Sequence, residues 1–161
     1  MSTHLTFIKI LLKHKYYVFI YCLKLKVPIH IALWHDMSKF SLIEYFAYVN
    51  KFGRSLKEVT NNGKLYDPNS QPYEFQKAWL HHQRNKHHWQ AWCSIADGGK
   101  LVPIDMPEVY IKEMIADWIS AGKTYSTKSD PVEWYNEHKD KLIFTDNTRK
   151  LIEKILQEYF R

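Results

Sequence analysis

Apolar residues recur at helical spacing along most of this 161-residue chain. Phe7, Leu11, His14, Val18, Tyr21 and Leu25 stand three or four apart, which predicts one buried stripe on a helix over 3–26. His14 is the polar member in the middle of it. Pro28 can open a second helix. Ile29, Ile31, Ala32 and Leu33 make that helix apolar, and it carries His35 and Asp36 near its end. Ser41-Leu42-Ile43-Glu44 has the form of a capping box and predicts a third helix, packed by Tyr45, Phe46, Tyr48, Val49 and Phe52 and stopped at Gly53. Residues 53–72 contain Asn61-Asn62-Gly63 and Asp67-Pro68-Asn69-Ser70, so they read as a loop, with Lys57, Lys64 and Tyr66 available to a substrate.

A fourth helix is predicted from about Pro72 to Trp92, packed through Phe75, Ala78, Trp79 and Trp89. Asp97-Gly98-Gly99-Lys100 is a tight turn, and Leu101 to Met106 can form a small strand. Pro107 opens a fifth helix that runs to Ala121, with Gly122 as its stop. Ser129-Asp130-Pro131 caps a sixth that runs to about Phe144. Thr145 or Asn147 caps a last one with Leu151, Ile152, Ile155, Leu156 and Tyr159 on one side. The fold expected is all-α: one helical domain over residues 1–161, of six to seven helices, with at most a small hairpin.

Composition narrows the class. Apolar residues are 45% and aromatic residues 16%, which excludes a disordered chain. The net charge of +6, with nine histidines besides, favours a small anionic partner. Nucleic acid is compatible with that charge, but no nucleic-acid motif is present. Cys22 and Cys93 lack CxxC spacing, so no disulfide framework is expected and a cytoplasmic location is. Lys9, Lys13, Lys15, Lys24 and Lys26 interrupt the apolar N-terminus, so neither a membrane span nor a signal peptide is expected there, and no membrane partner.

The chemistry gathers around His35-Asp36-Met37-Ser38-Lys39-Phe40. Imidazoles and carboxylates are ligands of transition metals. His14 precedes the His-Asp pair, the cluster His81-His82-x-x-Asn85-x-His87-His88 follows it, and Asp117 comes later. Together they read as one metal site built by several helices. A zinc knuckle is excluded because no cysteine pair accompanies the histidines. On a continuous helix His81, Asn85 and His88 share one face, which turns them to the site and leaves His82 and His87 to packing. Glu113 and Asp117, four apart, share another face. Lys39 lies one turn past Asp36, where an ammonium can meet a phosphate; a plain ion pair with Asp36 is the structural alternative. Glu44 reads as a cap.

These residues resemble the HD superfamily of metal-dependent phosphohydrolases: a first His, an HD pair, further histidines and a late Asp. A closer resemblance is to a family of short, His-rich bacterial and phage proteins of unknown function, marked by HD-x-SKF, HH-x-x-N-x-HHW and EM-x-x-DW. The resemblance implies an HD-type helical bundle and a divalent transition metal (Mn, Co, Ni, Zn or Fe) on His14, His35, Asp36 and Asp117, with one ion expected and ligands enough for two. It implies a phosphohydrolase acting on a small phosphorylated compound such as a nucleotide, with Lys39, His81, Asn85, His88 and Glu113 as catalytic residues. Two alternatives stand beside it: a dinuclear-iron oxygenase on the same ligands, and a non-enzymatic module that binds a nucleotide or nucleic acid.

Overall fold

The computed structural model describes residues 2–53, 68–125 and 129–161. Among these it is all-α, with seven α-helices and one two-stranded hairpin. Helix α1 spans Thr3–Lys24, α2 Ile29–Trp34, α3 Tyr45–Phe52, α4 Tyr73–His82, α5 Glu108–Tyr125, α6 Pro131–His138 and α7 Asp146–Phe160. The hairpin pairs β1 (Cys93–Ile95) antiparallel with β2 (Leu101–Pro103), Ser94 opposite Val102. Gly99, at φ +79°, supplies the left-handed residue that its turn requires.

Of the predicted stripe on α1, Phe7, Leu11, His14 and Val18 are buried, as is Leu25 just past its end, while Tyr21 is half-buried; Ile10 and Cys22 face inward beside them. They divide between two clusters. Val18, Cys22 and Leu25 join Ile111, Met114, Ile115 and Ile119 of α5 and Ile152 and Ile155 of α7. Phe7 and Leu11 join Tyr48 and Val49 of α3 and Phe75 and Ala78 of α4. His14 lies between the two clusters along α1, so the one polar residue of the stripe marks the seam where α3 and α4 meet α5.

Several boundaries differ from the sequence reading. Helix α4 stops at His82, ten residues short of the predicted end. Helix α5 runs through Gly122 to Tyr125. A helical glycine costs about 1 kcal/mol, and the packing of Tyr125 beyond it on the His14 and Phe52 rings offsets it. Helix α6 ends at His138 and gives way to a 3-10 turn over Lys139–Lys141. β2 is shorter than Leu101–Met106. The caps are as read: Asp130 accepts from the Val132 and Glu133 amides, and Thr145 from the Thr148 amide. The loop turns at Asn61–Gly63 and Asp67, together with Lys57, Lys64 and Tyr66, lie outside the described residues.

Gly53 ends α3 where the start of α1 crosses it. A Cβ there would stand 2.6 Å from the Thr3 carbonyl oxygen and 2.5 Å from that of Val49. Both are backbone atoms that cannot swing aside. Gly53→Ala is therefore expected to destabilise the chain by about 1–3 kcal/mol, the usual penalty of overpacking, read from urea unfolding. A wild-type midpoint would show that α1 and α3 can separate without cost.

Candidate metal centre

Helix α1 supplies His14. Helix α2 ends at Trp34, and the next two residues leave helical geometry. His35 is at φ −49°, ψ 132° and Asp36 at φ 60°, ψ 15°, the left-handed region. Neighbours on a helix would diverge by about 100°. The broken helix and the left-handed aspartate instead turn both side chains inward. Asp tolerates this conformation better than most residues do. Lys15, next to His14 on α1, donates to the Leu33 carbonyl at 3.2 Å and to that of His35. It thereby satisfies carbonyls that the end of α2 leaves open.

Asp36 is the hub. Its Oδ1 lies 3.6 Å from His35 Nε2, 3.4 Å from His82 Nε2 and 3.8 Å from His87 Nε2. Its Oδ2 lies 3.3 Å from His14 Nε2 and 2.5 Å from Lys39 Nζ. Asp117 Oδ1, from α5, lies 3.0 Å from His14 Nε2 and 3.7 Å from His35 Nε2. Three groups bring potential ligand atoms within 4.8 Å of one another: His14, His35 and Asp117; His35, Asp36 and His87; and His82, His87 and His88. Close as these approaches are, no aligned hydrogen bond reaches the buried Nε2 atoms of His14, His35, His87 and His88 or Asp36 Oδ1. Buried polar atoms are seldom left this way. A cation held among them would satisfy them, so these buried His and Asp groups could hold a metal ion.

Two further carboxylates stand behind the histidines. Glu113 Oε1 meets His35 Nδ1 at 2.9 Å and His87 Nδ1 at 3.4 Å. Glu44 meets His82 Nδ1 at 3.0 Å through Oε2 and His81 Nδ1 at 2.6 Å through Oε1. A carboxylate that accepts from Nδ1–H fixes the tautomer and presents Nε2 to the centre, which is how metal-binding histidines are oriented. Ser38 and Asn85 complete this layer. The Asn85 amide donates to Ser38 Oγ and to the His82 carbonyl, each at 2.9 Å.

The charges are mutually dependent. Burial opposes ionisation of Asp36, but Lys39, His35, His14 and His82 hold its carboxyl well below the usual carboxylate range. Asp117 is partly buried, which also opposes its charge, and His14 and His35 hold its carboxyl well below the usual carboxylate range. Burial works against a charge on His35, yet Asp36, Asp117 and Glu113 lift its pKa to about 9. Burial, with Lys39 nearby, pushes His82 down, and burial with the neighbouring His87 and His82 pushes His88 down further. These last two are neutral imidazoles, the form that binds metal. Burial raises the Tyr125 hydroxyl, stacked on His14 at 5.9 Å, to about 12, so it keeps its proton.

His14, His35, Asp36 and Asp117 are thus brought together as predicted, and Glu113, Lys39, Asn85 and His88 are in the same cluster. His81 is not. It turns outward to Glu44 with its side chain 35% exposed, while His82, assigned to packing, is buried in the centre. His87, also assigned to packing, faces Asp36. The reason is the early end of α4: the amides of Arg84 and Asn85 bond three residues back rather than four, so no single helical face carries 81, 85 and 88. Glu44 was missed as well. The Glu44 amide does donate to Ser41 Oγ, as the capping box predicts, but the carboxylate turns to the histidines instead of back to the cap. Its signal was one the sequence carries: an acid on the apolar side of a short helix.

The family model that matches residues 3–158 is described as a Family of unknown function (DUF5662). The chain belongs to that family. No curated protein and no solved structure matches it. In this DUF5662 chain the groups that could hold a metal ion gather around Asp36.

This arrangement predicts which histidines matter. His82→Ala and His88→Ala should each weaken Co(II) or Mn(II) binding by about 10–100-fold, and His81→Ala by only a few-fold, since His81 reaches the centre only through Glu44. Calorimetric titration of the metal-stripped protein measures this. A silent His82→Ala beside a damaging His81→Ala would reverse the assignment.

Proposed function

We propose that this chain is a metal-dependent phosphohydrolase of HD type that acts on a small phosphorylated compound, with nucleotides the first class to test. One observation carries the reading: buried histidine nitrogens and Asp36 Oδ1, none of them in a hydrogen bond, lie beside a buried ammonium, that of Lys39. His14, His35, Asp36 and Asp117 would hold the ion, and His82, His87 and His88 form an adjoining group with room for a second. A bound divalent cation supplies an activated water and polarises a phosphoryl oxygen.

The residues of the chain do the rest. Asp36, Asp117, Glu44 and Glu113 are four carboxylates, with the ammonium groups of Lys39 and, at the His35 carbonyl, Lys15 as their counter-charges. One divalent cation brings this cluster to neutrality, and two make it positive. An anionic substrate therefore favours two ions. Lys39 stands on the Oδ2 side of Asp36, away from His82 and His87, where it can offset charge developing on a phosphoryl group. Asp117 keeps its side chain 18% exposed while Asp36 is closed off, so a substrate would approach from the Asp117 side. Glu113 and Glu44 keep the imidazoles oriented throughout.

The two histidine groups flanking Asp36 also favour a second reading, a dinuclear-iron oxygenase on the same ligands. Metal analysis of protein purified without added metal separates the two: two irons per chain point to the oxygenase, and Mn, Co, Ni or Zn to the hydrolase. Free Cys22 and Cys93 suit either reading in a reducing cytoplasm.

A panel of phosphorylated metabolites assayed with each divalent metal tests the leading reading. Asp36→Ala should lose metal and phosphate release together. Lys39→Met should retain metal and lose turnover by about 100-fold or more, as expected when a charge-stabilising group is removed. Metal retained in Asp36→Ala, or full turnover in Lys39→Met, would overturn these assignments.

A further inference from the structure

Helix α1 has a second apolar face. Leu5, Leu12, Tyr16, Ile20 and Leu23 are all exposed, and helical spacing sets them together on the side opposite His14. Helix α2 continues the surface. Lys15 ties its C-terminal end to α1 through the Leu33 carbonyl, and Ile29, Leu33 and Trp34 are exposed there, Trp34 by 76%. Scattered exposed leucines are ordinary on a protein surface, whereas a stripe along a 22-residue helix marks an interaction face.

The stripe is symmetric about His14. Leu5 and Leu23 stand equally far before and after it, and so do Leu12 and Tyr16, and Ile8 and Ile20. When two copies of such a helix pack antiparallel about a two-fold axis, each residue on the midline of the face meets its mirror position, and a residue on the flank beside the axis meets its own copy. Leu5 would lie against Leu23 of the partner subunit, and Leu12 against Tyr16 of the partner subunit. That is the self-complementarity a two-fold interface requires. At roughly 200 Å² for a full side chain, the exposed parts of the eight named residues come to about 900 Å², close to the ~800 Å² that each partner contributes to a standard interface. We infer that the outward face of α1, extended by Ile29, Leu33 and Trp34 of α2, is the interface of a two-fold dimer of this chain.

Charge distinguishes a second copy from other occupants. Helix α1 carries no acidic residue, and Lys13 flanks the stripe near its centre. In the dimer Lys13 faces Lys13 of the partner subunit, so salt that screens this repulsion strengthens association. On an anionic lipid surface the same lysine is attractive, and salt weakens binding.

Sedimentation velocity of the full chain at about 100 µM in low and high salt tests the inference. The expected result is a species of twice the 19.4 kDa chain mass, more populated at high salt. Leu12→Glu with Tyr16→Glu should give a monomer with unchanged helical circular dichroism. Because that variant could fail to fold, Leu12→Cys with Tyr16→Cys provides a second reading: mild oxidation should yield a covalent dimer, with one copy's new thiol meeting the other's. A wild-type monomer, a dimer that survives the Glu substitutions with its fold intact, or absence of the covalent dimer would each overturn the proposal. So would a monomer that co-sediments with phosphatidylserine vesicles at low salt and is released by high salt, which would give the face to a membrane surface.

Discussion

The structure depends on one buried carboxylate. Asp36 is enclosed on all sides, and desolvation alone would make it neutral. It stays charged because Lys39 lies 2.5 Å from one oxygen while histidines from α1, α4 and the turn after α4 surround the rest. Each contact comes from a different part of the chain. The charge on Asp36 is thus a shared constraint on where α1, α4 and α5 can dock, and the two apolar clusters on either side of His14 supply the burial that makes it strict.

That constraint explains the local irregularities. Helix α2 has only six residues and ends in a left-handed aspartate, an arrangement with no advantage as helix. Its advantage is that consecutive residues both reach the centre. Helix α4 ends at His82 for a related reason. Asn85 takes up the His82 carbonyl with its side chain, and the turn that follows aims His87 and His88 back at the residues His82 already faces. Polar side chains that bond nearby backbone compete with a helix, and here the competition serves the site.

What was legible in the sequence follows from the same distinction. The helices, their caps at Asp130 and Thr145, and His14 in the apolar stripe could be read because period and capping are local properties. Asp117 and the His35-Asp36 pair could be read because their chemistry had no bland use at those positions. The choice between His81 and His82 could not, because it turns on where α4 stops. No proline or glycine stands between His81 and His88; a tertiary network through Asn85 and Ser38 ends the helix. Glu44 was hidden by a true but incomplete reading, since the capping box exists and its carboxylate is used elsewhere. Gly122 reads as a stop, yet α5 runs through it, because propensity is a weak prior that tertiary packing overrides.

The contact between His35 and Glu113 spans 78 residues, and that between His14 and Asp117 joins the first helix to the fifth. Contacts this distant in sequence form only after most of the chain-closure entropy has been met, so the centre is a late event in folding. Until then its four acids have no common neighbourhood. The unfolded chain therefore offers a cation no assembled site, and any ion the native protein binds there adds its binding free energy to the stability of the fold. For this chain, resistance to unfolding and occupancy of the centre are two readings of one equilibrium.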